Sequence, residues 1–517
     1  MKFTSADPEK AIPGEDLSGQ IYIADEKQLI PPLPNLVYEH STAIAVSNTV
    51  DWDGPNDPEN PVNFSGLVKL TNVGIVTALT FITPLASSMF APGVPQLMEE
   101  FESSNTLLAS FVVSVYVLGF AVGPLILAPA SELVGRVIIY HICNVGFTVL
   151  SVACAVSTDL GMLITFRFFQ GCFGSAPITN GGGTVADLIV QEKRGGVLSM
   201  YALGILLGPV IGPVAGGYLV AAKGWRWVFW ILTIMGGAST IISLFFLCET
   251  YPTVLLERKT QRLIRETGNV HLRSKRDNGL STMQLFIQAI SRPSKMLFFS
   301  PIVSASSIYA GLVYGYQYLM FTTFTFVFQD QYNFPTKSSG LTFLGIGVGS
   351  ILGLSVLGLI SDRIVKAKSK SPTPDSPSGP IMKPEYRLPP LVVGAFFIPA
   401  GLFIYGWSAE YKTHWIVPIL GTGLVGVGNI AVFMCVTSYM IDAFAIYAAS
   451  ALAANTVVRS VMGALLPLAG QRMYDALGLG WGNSLLAFIA AACIPVPWVM
   501  LRYGERMRLR FVVRRLG

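Results

Sequence analysis

Charge is scarce in this chain. Of its 517 residues, 13% are charged and 52% are hydrophobic, whereas soluble domains carry roughly 25% charged residues. A water-soluble fold of this composition would show large apolar patches to solvent, so that class is excluded. Histidine is scarcer still, with four scattered residues. The six cysteines are Cys143, Cys154, Cys172, Cys248, Cys435 and Cys493, and they show neither CxxC nor Cys/His spacing. No metal site or disulfide framework is indicated, and the cysteines read as small apolar packing residues. Walker A, HExxH and GxSxG sequences are missing, which argues against ATP-driven transport and against the hydrolases those motifs mark. Residues 1–66 lack an apolar run and a secretory signal. They read as a disordered cytosolic tail, so the first spanning helix serves as its own targeting signal.

What the chain does contain is a series of apolar runs of about 20 residues, the length a bilayer-spanning helix requires. About twelve are read, near 67–91, 105–127, 137–157, 160–186, 197–220, 225–248, 297–326, 338–360, 388–408, 413–436, 447–471 and 482–501. They are numbered here as spans 1 to 12. The expected fold is an all-α integral membrane protein of two six-helix halves, 67–248 and 297–502. A cytosolic segment, 249–296, joins the halves, and a basic tail, 503–517, follows them. A Pro/Ser-rich stretch, "KAKSKSPTPDSPSGP", makes a flexible linker between spans 8 and 9.

Most of the 35 Lys and Arg residues fall on one set of loops and tails. Lys223, Arg226, Lys337, Lys412 and Arg472 stand on the other side, and Arg167 and Arg459 lie inside spans. This bias puts both termini in the cytosol, and the C-terminal "RYGERMRLRFVVRRLG" suits an anionic inner leaflet. Asn63-Phe64-Ser65 matches a glycosylation acceptor, but on the cytosolic tail it is expected to go unused.

Two stretches repeat. "GFAVGPLILAPASELVGR" begins at Gly119 and "GSILGLSVLGLISDRIVK" at Gly349. In register, Gly119 matches Gly349, Gly123 matches Gly353, Ser131 matches Ser361 and Glu132 matches Asp362. Each stretch ends a Gly-spaced second span of its half in Ser-acid. Two homologous halves follow, and parallel repeats of this kind place a substrate site between them near the midplane.

Span 5 poses a puzzle. "LGILLGPVIGPVAGGYL" holds Gly204, Gly208, Gly212, Gly216 and Gly217 with Pro209 and Pro213. In water these residues would forfeit about 11 kcal/mol of helix propensity. In lipid, small residues four apart let helix backbones approach closely, and neighbours re-satisfy freed backbone groups. Gly345, Gly349 and Gly353 form a second stripe in span 8.

Polar residues within spans are the binding candidates. Arg167 costs at least about 2.5–3.5 kcal/mol to insert at a helix centre, and Gln170, three residues on, shares its face. In span 7, Tyr314, Gln317, Tyr318 and Phe321 fall on one face, suited to a flat, semi-polar organic ligand. Asn72 in span 1 and Asn429 in span 10 are further candidates. Glu132, Arg136 and Asp187 sit at cytosolic helix ends.

The segments "SELVGR" (131–136), "RFFQGCFGSAP" (167–177) and "GILLGPVIGPVAGG" (204–217) resemble motifs of the major facilitator superfamily, in its twelve-span drug:proton antiporter branch. "DWDGPNDPENPVNFS" (51–65) and "SYMIDAFAIYAASALAANTVVRS" (438–460) resemble its fungal members. In "SELVGR", Glu132 replaces the usual Asp and Leu133 a basic residue. The resemblance implies that spans 1, 4, 7 and 10 line a cavity and that spans 5 and 8 meet between the halves. It also implies that Arg167 couples proton flow to substrate movement, and that Glu132, Arg136 and Asp187, with Asp362 in the repeat, form a charge cluster that locks one conformation. Gly204, Gly208, Pro209, Gly212, Pro213, Gly216 and Gly217 would be the antiporter motif. A close, dry contact between spans 5 and 8 is expected, with Gly212 in it.

The leading expectation is therefore proton-coupled efflux of a drug or fungal secondary metabolite by a plasma-membrane monomer. A proton gradient would be the energy source, with no cofactor and no nucleic-acid partner. Import or uniport of a nutrient, polyamine or organic acid is the alternative. A non-transporting sensor, or an embedded enzyme, would be a different class. Polyamines would favour several cavity carboxylates, and organic acids would favour extra cavity cations. A neutral or weakly acidic polyketide-like molecule fits this sequence best.

Overall fold

The computed structural model describes residues 48–190, 193–276, 279, 282–369, 383–444 and 447–510. Among these, nine helical segments are long and apolar enough to cross a membrane. Three features bring this to twelve. Span 4, Leu160–Leu188, is diluted by glycines and by Arg167, Gln170 and Asn180. Span 7, Pro301–Tyr332, meets the helix before it at a 94° bend. The last segment is two spans, because Gly478 (φ 74°) breaks the helix running Ala448–Ala492. The Glu410 carboxylate, at the end of span 9, accepts from Leu479 N at 2.7 Å and Gly480 N at 3.2 Å. It supplies charge and acceptors where the new helix has unpaired N–H groups.

The repeat is visible in the packing. Gly119 and Gly123 of span 2 abut the backbone of span 4 at Phe168 and Cys172. Their matches Gly349 and Gly353 abut span 10 at Gly423 and Val427. Span 5 lies on span 1, and span 11 lies in the same way on span 7 through Gly463 against Tyr314 and Gly470 against Leu319.

The stripe in span 5 is not built for span 8. A Cβ on Gly208 would stand 2.8 Å from Phe81 O and Leu85 N, and one on Gly212 would stand 2.6 Å from Ser88 Oγ. Gly204 faces Thr77 O, and Gly216 abuts the Met89 carbonyl. All four serve span 1, and Gly345, Gly349 and Gly353 serve span 10. Spans 5 and 8 do meet, but through other residues. Gly217 lies against Thr336 and Gly340, Gly340 against the Pro213 carbonyl, and Val210 against Gly347. These contacts gather where span 5 ends and span 8 begins. The expected contact between the spans is present, and its assignment to Gly212 is corrected.

The tail expected to be structureless through residue 66 is ordered from Asn48 onward. Thr49–Val50 pairs in parallel with Arg273–Ser274. The following turn packs on the helix Pro252–Thr267, where Lys259 reaches Asp53 at 2.8 Å and Asp57 at 2.9 Å. Arg262 bonds Glu59 at 2.6 Å, and Lys275 bonds Asp51. The Asn63 side chain donates to Pro55 O at 2.7 Å and Asp57 O at 2.9 Å, tying the turn together. The segment joining the halves is thus a pair of helices, the second being Thr282–Phe299, with the N-terminal turn clasped to the first. Residues 1–47, the linker residues 370–382 and residues 511–517 of the basic tail lie outside the described residues.

Candidate transport site between the halves

Span 4 carries Arg167 into the middle of the N-terminal half, where it is 0% exposed. Its guanidinium lies 5.3 Å from the rings of Phe90 and Tyr116 and 5.6 Å from that of Phe229. One N–H donates to Ser87 O at 3.4 Å, while Nε and Nη1 have no hydrogen-bond partner. Among the described residues it forms no ion pair. Three aromatic faces surround the cation, which is worth most where water is excluded. Gln170 is equally buried but turns to span 3, donating to Ser151 Oγ at 2.8 Å.

On the second half, Tyr314, Tyr318 and Phe321 of span 7 lie together. The rings of Tyr314 and Tyr318 are 4.9 Å apart, and those of Tyr318 and Phe321 are 5.4 Å apart. Tyr318 OH and Ser87 Oγ share a hydrogen bond of 3.0 Å that joins span 7 to span 1. Ser87 therefore touches both the Arg167 box and the opposite half. Gln317 Oε1 accepts from Asn429 Nδ2 at 2.6 Å, linking spans 7 and 10 through two half-buried amides.

Asn72 lies elsewhere. Its side chain donates to Val68 O at 2.8 Å and accepts from Cys248 N at 3.0 Å, so it closes the end of span 6. It is a packing residue and not part of the face formed by Tyr314, Gln317 and Asn429. Arg459, inside span 11, was visible in the sequence as a mid-span charge but had no role there. It stacks over Tyr314 at 4.8 Å and Phe433 at 5.1 Å. An apolar groove of about 450 Å³ lined by Phe334, Leu341, Trp415 and Ile419 lies apart from these residues, at the ends of spans 7, 8 and 10.

The charge cluster at the start of span 3 is differently composed from the expectation. Arg136 Nε bonds Asp187 Oδ2 at 2.6 Å, and Arg136 also stacks over Tyr251 at 5.0 Å. Glu132 is exposed. A further carboxylate, Glu249, joins the cluster and accepts from Arg136 N at 3.1 Å and Val137 N at 3.3 Å. Gly135 (φ 104°) makes room, because a Cβ there would meet that carboxylate. Glu249 follows span 6 by a few residues, and nothing in its local sequence marks it as a cap for span 3. The side chain of Asp362 lies outside the described residues. The corresponding pair in the second half is Arg387 with Asp442, at 3.1 Å, again joining the start of a third span to the end of a fourth.

A family model for the Major Facilitator Superfamily matches residues 76–467. The chain belongs to that superfamily: it is a multi-pass membrane transporter and not an enzyme. It is 77% identical over 473 residues to the MFS-type transporter tndD of Aspergillus flavipes, covering 92% of this chain and 88% of the relative. It is 52% identical over 461 residues to the efflux pump radE of Floropilus chiversii, covering 89% and 85%. The fold is similar to that of the xylose transporter XylE from E. coli in a partially occluded inward-open conformation. The TM-score is 0.64 at 15% identity, covering 85% of this chain and 98% of that one.

Proposed function

We propose that the protein exports a small, flat, semi-polar organic compound from the cytosol in exchange for protons, by alternating access. It would act as a monomer in the plasma membrane, with both termini cytosolic. The observation that carries the reading is the face of Tyr314, Gln317, Tyr318 and Asn429. It joins aromatic rings to amides at the junction of two six-helix halves, where flat ligands find stacking and orienting polar groups. Export is supported by the Gly/Pro-rich span 5, by its resemblance to the antiporter motif, and by relatives such as the efflux pump radE. With the termini cytosolic, the seal from Gly217 to Gly340 closes the outer side. Proton coupling is supported by Arg167, a cation without an ion pair among the described residues, whose Ser87 partner also contacts Tyr318.

The test is transport in reconstituted vesicles carrying a pH gradient. Substrate movement against its own gradient, collapsing with the proton gradient, is expected. Replacing Tyr314, Gln317 or Tyr318 singly with Ala should change affinity for some compounds more than others. Substrate equilibration indifferent to the pH gradient would overturn the coupling. Uniform loss with poor expression would reduce the aromatic face to packing.

A further inference from the structure

Two arginines lie inside the spans, and their surroundings differ. Arg167 is sealed by three rings and the Ser87 carbonyl. Arg459 is only half-buried. The rings of Tyr314 and Phe433 lie 4.8 Å and 5.1 Å from its guanidinium carbon. Gly463, one turn further along span 11, lets the Tyr314 ring lie close, since a Cβ there would stand 2.8 Å from Tyr314 Cδ1. Nε of Arg459 has no hydrogen-bond partner, and among the described residues Arg459 forms no ion pair.

Spans 7, 10 and 11 converge on this guanidinium. Their only carboxylates, Asp330, Asp442 and Asp475, stand toward the span ends. A guanidinium thus stands in the membrane interior without a counter-ion from the helices that hold it. Nε is buried, so the two Nη groups are the end of the guanidinium left to a ligand. Two such N–H groups can bind a carboxylate with parallel hydrogen bonds. The Gln317–Asn429 amide pair comes from the same two spans as those rings. Asn429 is one turn before Phe433, and Gln317 is three residues beyond Tyr314.

We infer that Arg459 is the anion-binding residue of the transport site, and that the substrate class is an organic acid whose carboxylate or ionised phenol is borne on a flat ring. The ring packs beside Tyr314 and Phe433, and the anionic oxygens meet the Nη end of the guanidinium. The inference rests on the export reading and names its substrate class.

The test compares 2-naphthoate with methyl 2-naphthoate, the same ring system without the charge. Equilibrium binding is measured on the full chain in lipid nanodiscs, with no gradient. The wild type should bind the acid about tenfold or more tightly than the ester. Arg459→Gln should lower acid affinity until acid and ester bind alike, and Arg459→Lys should retain part of the preference, as a point charge without the planar fork. On wild type alone, acid affinity should fall as pH drops through the acid's own pKa, while ester affinity stays flat. This arm does not depend on any variant folding. Equal binding of acid and ester to the wild type, no binding of the acid, or parallel loss of both in Arg459→Gln would overturn the assignment. Acid binding with no flux under a pH gradient would leave the assignment standing and sink the export reading. Flux restricted to neutral esters would do the reverse.

Discussion

Arg136 and Asp187 are joined at 2.6 Å between the start of span 3 and the end of span 4, and both side chains are nearly buried, at 10% and 13% exposure. Arg387 and Asp442 repeat the arrangement in the second half but are more exposed, at 25% and 30%. Exposure should separate their energetics. Removing one partner of a buried pair strands a charge and costs about 3–5 kcal/mol, whereas a partly solvated pair is worth about 1 kcal/mol or less. Asp187→Asn should lower the unfolding temperature of the purified protein markedly and abolish transport, and Asp442→Asn should do much less. Equal effects would mean that burial does not set their weights.

The glycine contacts make a second prediction. Gly208→Val places side-chain atoms against the span 1 backbone at Phe81 and Leu85. Overpacking of this kind costs about 1–3 kcal/mol, so this variant should accumulate poorly. Gly340→Ala instead crowds the Pro213 carbonyl, where the two halves close. It should reach the membrane normally, yet hold that end open. The measurement is faster labelling of a cysteine introduced at Thr336. Normal labelling with normal flux would show that this approach is not the seal.

Arg167→Ala should retain expression and lose gradient-driven transport. Arg167→Lys should fail nearly as far, because an ammonium cannot present planar faces to Phe90, Tyr116 and Phe229. Full proton-coupled flux in the Ala variant would make the residue structural.

The clasp between the N-terminal turn and Lys259 has a calculable pH window. Burial works to raise the Asp57 carboxyl, but the Asp53 and Glu59 amides and the Lys259 ammonium override it and hold the pKa below the usual carboxylate value. Burial works to lower the Lys259 ammonium, and its bonds to Asp53 and Asp57 raise it instead. A depressed acid stabilises above its unfolded pKa of about 3.9, and that contribution fades as pH falls through the folded value. A raised base stabilises below its unfolded pKa of about 10.4, and that contribution fades as pH rises through the folded value. The turn should therefore resist proteolysis from about pH 5 to 9 and loosen below about pH 4. Asp57→Asn should loosen it at neutral pH. Cleavage independent of pH and of this substitution would show that the ion cluster does not hold the turn.

Much of this was legible in the chain. Runs of about 20 apolar residues have one solution in lipid, so most of the spans followed from hydrophobicity, and the Gly119/Gly349 register disclosed two halves. Tyr314, Gln317 and Tyr318 were recoverable because helical spacing puts them on one face. The mid-span charge of Arg459 was visible too, but a charge does not name its neighbours.

Partner choice was decided in three dimensions. A stripe of small residues states that another backbone comes close, but the surface it receives is a main chain, which every helix offers. The span 5 glycines therefore met span 1, whose sequence carries no matching stripe, and the contact with span 8 fell to Gly217 and Gly340. Asn72 and Gln317 are both amides within spans, and only the tertiary arrangement put one against Cys248 N and the other against Asn429. Glu249 was hidden for the same reason. A carboxylate caps a helix by reaching its unpaired N–H groups through space, and the helix it caps begins at Arg136, a distance in sequence that no local pattern spans.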